Sequence, residues 1–141
     1  MATETTSFTA DERKAMRERA KELKNEGNKI AAEAEVILKI NEMDPSDKVM
    51  ALKVHEIVKI HAPNLDARTW YGMPAYSLEG KTILFFQSAG KFKVRFATLG
   101  FSENATLDEG EMWPTSYALN KIDKKAEVRT IELIKQATGH L

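Results

Sequence analysis

The amino-acid sequence predicts an α+β fold in which strands are grouped between helices at the two ends of the chain. Residues 11–41 contain one glycine, no proline and a dense mixture of charges, which is typical of helix. Residues 65–119 contain short apolar runs separated by Gly and Pro turns, which is typical of strands. Because the strands do not alternate with helices, the pattern favours an antiparallel sheet of about five strands over a βαβ fold.

The first helical segment begins after Thr9, which forms a capping-box signature with Glu12 three residues later. Its small and apolar residues recur at alternating spacings of four and three, a thin heptad-like pattern that comprises Met16, Ala20, Leu23, Gly27, Ile30, Ala34 and Ile37. Gly27-Asn28 is a candidate break between two helices. The segment either lies across its own domain or docks on a partner or a second copy of the chain.

A further helix is predicted from Asp44, which can cap it, with Pro45 in the first helical position and Asp47 at the positive end of the helix dipole. Pro63 ends it. We expect its wide apolar face to be largely buried; that face comprises Val49, Met50, Leu52, Val54, Ile57, Val58 and Ile60.

Five strands are predicted in the middle of the chain, at residues 65–71, 75–78, 81–87, 91–96 and 116–119. Glu79-Gly80 forms a hairpin turn. The fourth strand rests on strict alternation, with Phe92, Val94 and Phe96 on one side and basic residues on the other. Residues 99–114 form a long irregular stretch.

The final helix is capped by Asp123 and runs to about Ala137. We expect Val128, Ile131, Leu133 and Ile134 to face inward, and Gly139 lies just past its end.

Composition excludes several classes of function. The chain of 141 residues has 21 basic and 21 acidic side chains, which argues against a nucleic-acid binder. It has no cysteine, so thiol nucleophiles and thiolate metal centres are excluded.

No apolar run approaches the ~20 residues of a membrane span, and no targeting signal is apparent, so we expect a cytoplasmic protein without a membrane partner. No catalytic motif is present, so we expect a protein that is not an enzyme.

Aromatic residues bracket two turns and are candidate ligand-binding residues. They are Trp70, Tyr71, Tyr76 and Trp113. Aromatic side chains with a polar tip beside irregular backbone line small-molecule pockets. The alternative is that they cover the core where the sheet meets the loops.

Charges are segregated in the second half of the chain. Residues 80–98 contain four basic and no acidic side chains, whereas residues 99–120 contain four acidic and no basic ones. The acidic set is a candidate metal site, because hard cations prefer oxygen ligands; it comprises Glu103, Asp108, Glu109 and Glu111. The alternative is an acidic loop that lies over a basic sheet face or is simply solvated.

A family signature begins at the aromatic turn that comprises residues 70–76. It is carried by Trp70-Tyr71-Gly72-Met73-Pro74-Ala75-Tyr76, Gly80-Lys81 and Phe85-Phe86. These residues resemble the Y-G-M-P-A-F/Y…G-K signature of the YdhG-like family of unknown function, over residues 49–137. The resemblance implies a frataxin-like curved antiparallel sheet packed against helices, with residues 1–44 as a helical extension and 45–141 as a single compact domain. One relative is regarded as an intracellular iron chaperone, which implies iron as a ligand.

Three hypotheses of function follow from the sequence. The first is iron or other metal-ion handling through the acidic residues. The second is small-molecule binding in an aromatic pocket. The third is protein interaction through the N-terminal helix. The sequence leaves the ligand and the oligomeric state open.

Overall fold

The computed structural model describes residues 9–25 and 28–139, in which five helices accompany one five-stranded sheet. The helices are α1 (Ala10–Asn25), α2 (Lys29–Asn41), α3 (Pro45–His61), α4 (Ala89–Phe92) and α5 (Lys124–Ala137). The strands are β1 (Asp66–Trp70), β2 (Met73–Leu78), β3 (Lys81–Gln87), β4 (Ala97–Phe101) and β5 (Ser116–Leu119). The α+β class and the antiparallel sheet of five strands are therefore confirmed. No helix in this part of the chain is long and apolar enough to cross a membrane.

The sheet is a meander in which every strand is antiparallel to its neighbours in sequence. Two tight turns join the first three strands. Tyr71 and Gly72 have φ values of 52° and 80°, and Glu79 and Gly80 have values of 50° and 82°. Positive φ at both central residues is the geometry of a two-residue type I′ hairpin, whose twist matches that of the strands.

The core lies between one face of the sheet and helices α2, α3 and α5. Its largest fully buried side chains are Val36, Ile40, Val54, Val58, Pro74, Tyr76, Leu84, Phe86, Leu99 and Ile134. Because α2 contributes two of these side chains, a segment of the predicted 1–44 extension packs in the same core as the sheet.

The other face of the sheet has a thin aromatic cover. The rings of Trp70 and Phe85 lie 5.4 Å apart and are only partly buried. The Phe85 ring lies over Gly100, where an added Cβ would be 2.6 Å from Cε1 of that ring. A glycine at this position therefore lets the ring pack flat on β4.

The N-terminal segment forms two helices. The Thr9–Glu12 capping box is confirmed, with hydrogen bonds of 2.7 and 3.0 Å, and the Asn28 side chain caps α2 by accepting from the Ala31 N–H at 3.0 Å. The ion pairs Lys21–Glu35 and Glu18–Lys39 show that α1 and α2 run antiparallel. The expected heptad-like pattern is not a buried seam, since Met16, Ala20, Ile30 and Ala34 are exposed. Gly27 and the Leu23 side chain lie outside the described residues.

The predicted burial of α3 is wrong for three residues. The helix buries Met50, Val54, Ile57 and Val58, whereas Val49, Leu52 and Ile60 are exposed. The buried positions form one stripe at helical spacing, and the exposed ones lie outside it. On α5, Leu133 and Ile134 are buried and Ile131 is partly buried, but Val128 is exposed, contrary to expectation.

The predicted strand at 91–96 is also wrong. Residues Ala89–Phe92 form a helical turn, Lys93 has a φ of 54°, and β4 begins only at Ala97. The cause is a contact from α3: the Asp47 carboxylate accepts hydrogen bonds from the N–H groups of Ala89 at 3.0 Å and Gly90 at 2.9 Å. This buried cap stabilises the helical turn, although the alternation of apolar and basic residues favours a strand.

The Asp47 cap can be tested by substitution. We expect Asp47→Ala to lower the free energy of unfolding by about 1–3 kcal/mol, because two backbone N–H groups lose their acceptor. Urea denaturation measures the change. Glu56→Ala is the control, because Glu56 lies on the same helix and its exposed carboxylate pairs with Lys53. Asp44 is unsuitable: it makes no capping hydrogen bond, contrary to expectation, and its carboxylate lies against Gly90. Equal losses for the two variants would contradict the assignment.

Candidate functional site

A cleft with a volume of about 210 Å³ lies where α1, the end of α2, the β1–β2 turn and α4 meet. We call it the turn cleft. Its charged lining residues are Lys14, Glu18, Lys39, Glu42 and Lys91, and its other lining residues are Met43, Gly72, Met73, Pro74, Phe86, Ser88 and Phe92. Gly72, Met73 and Pro74 belong to the segment that the sequence singled out.

The β1–β2 turn is attached to α1 by a buried carboxylate. Glu22, which is 8% exposed, accepts hydrogen bonds from the N–H groups of Tyr71 at 2.9 Å and Gly72 at 2.6 Å. Arg19 lies 3.4 Å from the same carboxylate, and its guanidinium is 5.2 Å from the centre of the Tyr71 ring. Hydrogen bonds to an ionised acceptor are the stronger kind, so Glu22 holds α1 against the turn.

The rim of the cleft carries both signs of charge. Glu18 Oε2 lies 3.5 Å from Lys39 Nζ and 3.9 Å from Lys91 Nζ. Lys14 forms no ion pair with any other residue in the described part of the chain. Three lysines face two glutamates, so the rim has a small excess of positive charge.

The floor of the cleft is apolar. Pro74 and Phe86 are fully buried beneath it, and Met43 and Met73 are half-buried at its sides. Phe92 forms one wall and remains 40% exposed. An apolar concave surface with a few polar groups is the usual composition of a small-molecule site.

The four aromatic residues that the sequence marked do not share one pocket. Trp70 contacts Tyr71 at 5.2 Å between ring centres, and Tyr71 is exposed beside α1. Tyr76 is completely buried in the core, on the opposite face of the sheet from Trp70. Trp113 belongs to the irregular segment between β4 and β5 and is partly buried against the core. The structure therefore divides this set among three places.

Three of the four predicted acidic residues meet at one surface. Glu103, Asp108 and Glu111 line a shallow, open depression of about 440 Å³ together with Met112 and Trp113. Glu109 is exposed and is not part of this lining. Among the residues described, no group of three or more histidine, aspartate or glutamate side chains lies close enough to hold a metal ion. A metal site here stays a prediction from the sequence.

A polar chain links Tyr76 to the surface. Its hydroxyl lies 3.0 Å from His55 Nδ1, His55 Nε2 lies 3.1 Å from Glu33 Oε2, and Lys59 donates to Glu33 Oε1 at 3.1 Å. Burial, aided by the Glu33 charge, raises the pKa of Tyr76. Burial alone would raise the pKa of Glu33, but hydrogen bonds from Lys59 and His55 outweigh it and lower that pKa. Because Tyr76 is inaccessible, this chain connects β2, α3 and α2 and does not face a ligand.

The sequence located the turn but missed most of the cleft. Glu18 and Lys39 belong to the N-terminal helices, and Lys91 was assigned to a strand. No local spacing relates these residues to the turn, because they meet it only through the packing of α1 and α2.

Comparison with protein-family models, with curated proteins and with solved structures finds no significant match.

The Glu22 contact predicts protection of specific amides. In Glu22→Gln we expect faster hydrogen exchange at the amides of Tyr71 and Gly72, because an amide oxygen is a weaker acceptor than a carboxylate and offers one oxygen instead of two. Exchange is followed residue by residue by NMR. Glu35→Gln removes a carboxylate that pairs with α1 away from the turn and serves as the control. Unchanged exchange in Glu22→Gln would refute the contact.

The pKa of Glu33 predicts a pH dependence. This pKa is lower in the folded than in the unfolded protein. As the pH falls through the ordinary value of 4.5, the folded protein therefore binds fewer protons than the unfolded protein does. The stabilisation is therefore present above that pH and is lost below it. We expect unfolding free energies, measured by denaturant titration between about pH 6 and about pH 3, to decline less steeply in Glu33→Gln than in the wild type. A parallel decline would contradict the network, and Glu132→Gln controls for the loss of one charge.

Proposed function

We propose that this protein is a non-enzymatic small-ligand-binding protein whose ligand lies in the turn cleft. The observation that carries the proposal is the combination of a buried apolar floor with a rim of charged groups at the 70–76 turn. A cavity of about 150 Å³ holds benzene. A cleft of about 210 Å³ therefore suits a small aromatic or short aliphatic molecule.

The chemistry of the lining supports binding more than catalysis. Its described residues include no histidine, and its one hydroxyl, on Ser88, has no hydrogen bond to a described base. Lys39 and Lys91 both lie beside Glu18, with their Nζ atoms 3.5 and 3.9 Å from its carboxylate. Such groups recognise charge and position a ligand.

Membership of the YdhG-like family and a frataxin-like arrangement are part of the same proposal. They are supported by the signature at residues 70–76 and by an antiparallel sheet that packs against helices from both ends of the chain. We also propose a cytoplasmic location. Iron handling has weaker support than the cleft, since the described carboxylates form no cluster suited to a metal ion.

The proposal can be tested by titrating small probes into the ¹⁵N-labelled protein. Hexanoate, hexanamide, benzoate and benzamide are the probes, and Fe(II) is titrated separately. We expect the organic probes to shift the amide signals of lining residues, namely Gly72, Met73, Ser88, Lys91 and Phe92. No binding of any organic probe up to millimolar concentrations, or shifts confined to other surfaces, would overturn the proposal. Selective loss of signals at residues 103–111 with Fe(II) would favour the iron hypothesis instead.

A matched pair of variants tests the site itself. Phe92 forms a wall of the cleft, whereas Val94 lies two residues away, outside the lining, and is similarly exposed at 48% against 40%. We expect Phe92→Ser to weaken probe binding about fivefold, because roughly 1 kcal/mol of apolar contact is lost. Val94→Ser should leave the affinity unchanged. Equal effects of the two substitutions would place the probe elsewhere.

A further inference from the structure

The carboxylate of Glu18 lies inside the turn cleft, between two lysines. Its Oε2 atom is 3.5 Å from Lys39 Nζ and 3.9 Å from Lys91 Nζ, and it is the nearest atom to the place that a Cβ on Gly72 would occupy. The side chains of Glu18 and Lys39 are 16% and 17% exposed, so this charge is partly shielded from water. An acidic group supplied by α1 thus fills a position that faces the apolar floor.

The contacts that hold Glu18 there are weak. Both distances exceed the range of a hydrogen bond, and ion pairs of this kind contribute little to stability. Glu22, one turn further along the same helix, has two short hydrogen bonds to the β1–β2 turn. The Glu18 side chain can therefore rotate into solvent while Glu22 keeps α1 in place.

Withdrawal of Glu18 changes the charge of the cleft. Lys14, Lys39 and Lys91 then face only Glu42, whose side chain is 60% exposed and 3.9 Å from Lys39. The rim becomes distinctly positive, next to a floor made by Pro74, Phe86 and two methionines. Such a surface complements a molecule with one anionic end and a small apolar body.

We infer that the ligand of the turn cleft is a small apolar carboxylate, whose carboxylate replaces the Glu18 side chain between Lys39 and Lys91. This inference rests on the proposed function and adds the class of ligand to it. A carboxylate is the group that occupies the position in the free protein, so the space and the two ammonium groups already fit it. Glu18 acts as a competitor, because it must leave before the ligand's carboxylate enters.

The competition gives two substitutions opposite effects. Glu18→Gln removes the competing charge and should tighten the binding of hexanoate about two- to fivefold, the range expected for one partly exposed ion pair. Lys91→Gln removes an attractive charge and should weaken the binding of hexanoate by a similar factor. Neither substitution should change the affinity for hexanamide, which has the same apolar chain and no charge.

The experiment is a calorimetric or NMR titration of hexanoate, hexanamide and hexyl phosphate into the full-length wild type and the variants. The matched control is Glu35→Gln, which removes an α2 carboxylate that pairs with Lys21 of α1 at 3.0 Å but does not line the cleft. It should leave the affinity for hexanoate unchanged. Circular dichroism verifies that every variant is folded.

The outcomes separate the two proposals. Tighter binding of hexanoate in Glu18→Gln, with no such change in Glu35→Gln, supports the inference. Equal affinities for hexanoate and hexanamide in all variants, or equal tightening in Glu18→Gln and Glu35→Gln, would overturn it while leaving the cleft as a binding site. Tighter binding of hexyl phosphate than of hexanoate would overturn the choice of carboxylate. Failure of every probe to bind would overturn the proposed function and the inference with it.

Discussion

The arrangement of the cleft depends on one contact, the carboxylate of Glu22 on the N–H groups of Tyr71 and Gly72. The type I′ turn has positive φ at both Tyr71 and Gly72, and this geometry directs successive N–H groups to one side, where they bind an anion. Gly72 is buried, so its N–H group would be costly to leave unpaired. Glu22 is the one buried side chain among those described for α1, and the attachment of that helix to the sheet is therefore mainly polar.

A second carboxylate holds the opposite wall of the cleft. Asp47 of α3 accepts the N–H groups of Ala89 and Gly90, as Glu22 accepts those of the β1–β2 turn. Each wall is thus a stretch of backbone fixed by an acidic residue from a neighbouring helix.

Elements whose determinants are local could be predicted from the sequence. The turn at Glu79-Gly80, strand β3, strand β5 and the helix capped by Asp123 occur as expected, because a few adjacent residues specify each of them. The segment 91–96 was mispredicted, since a residue more than forty positions earlier in the chain fixes its conformation.

The cleft was beyond prediction for a related reason. Its charged groups come from α1, α2 and α4, and only tertiary packing brings them to the turn. The aromatic residues did mark the right turn, but strand alternation carries Trp70 and Tyr76 to opposite faces of the sheet. A sequence pattern therefore located the site without revealing which side chains line it.

A crystal structure of the full chain with hexanoate tests the central claim most directly. We expect the ligand carboxylate between Lys39 Nζ and Lys91 Nζ and the Glu18 side chain turned toward solvent. Glu22 should remain bound to the N–H groups of Tyr71 and Gly72. A structure in which Glu18 keeps its place between the two lysines while hexanoate binds elsewhere would contradict it.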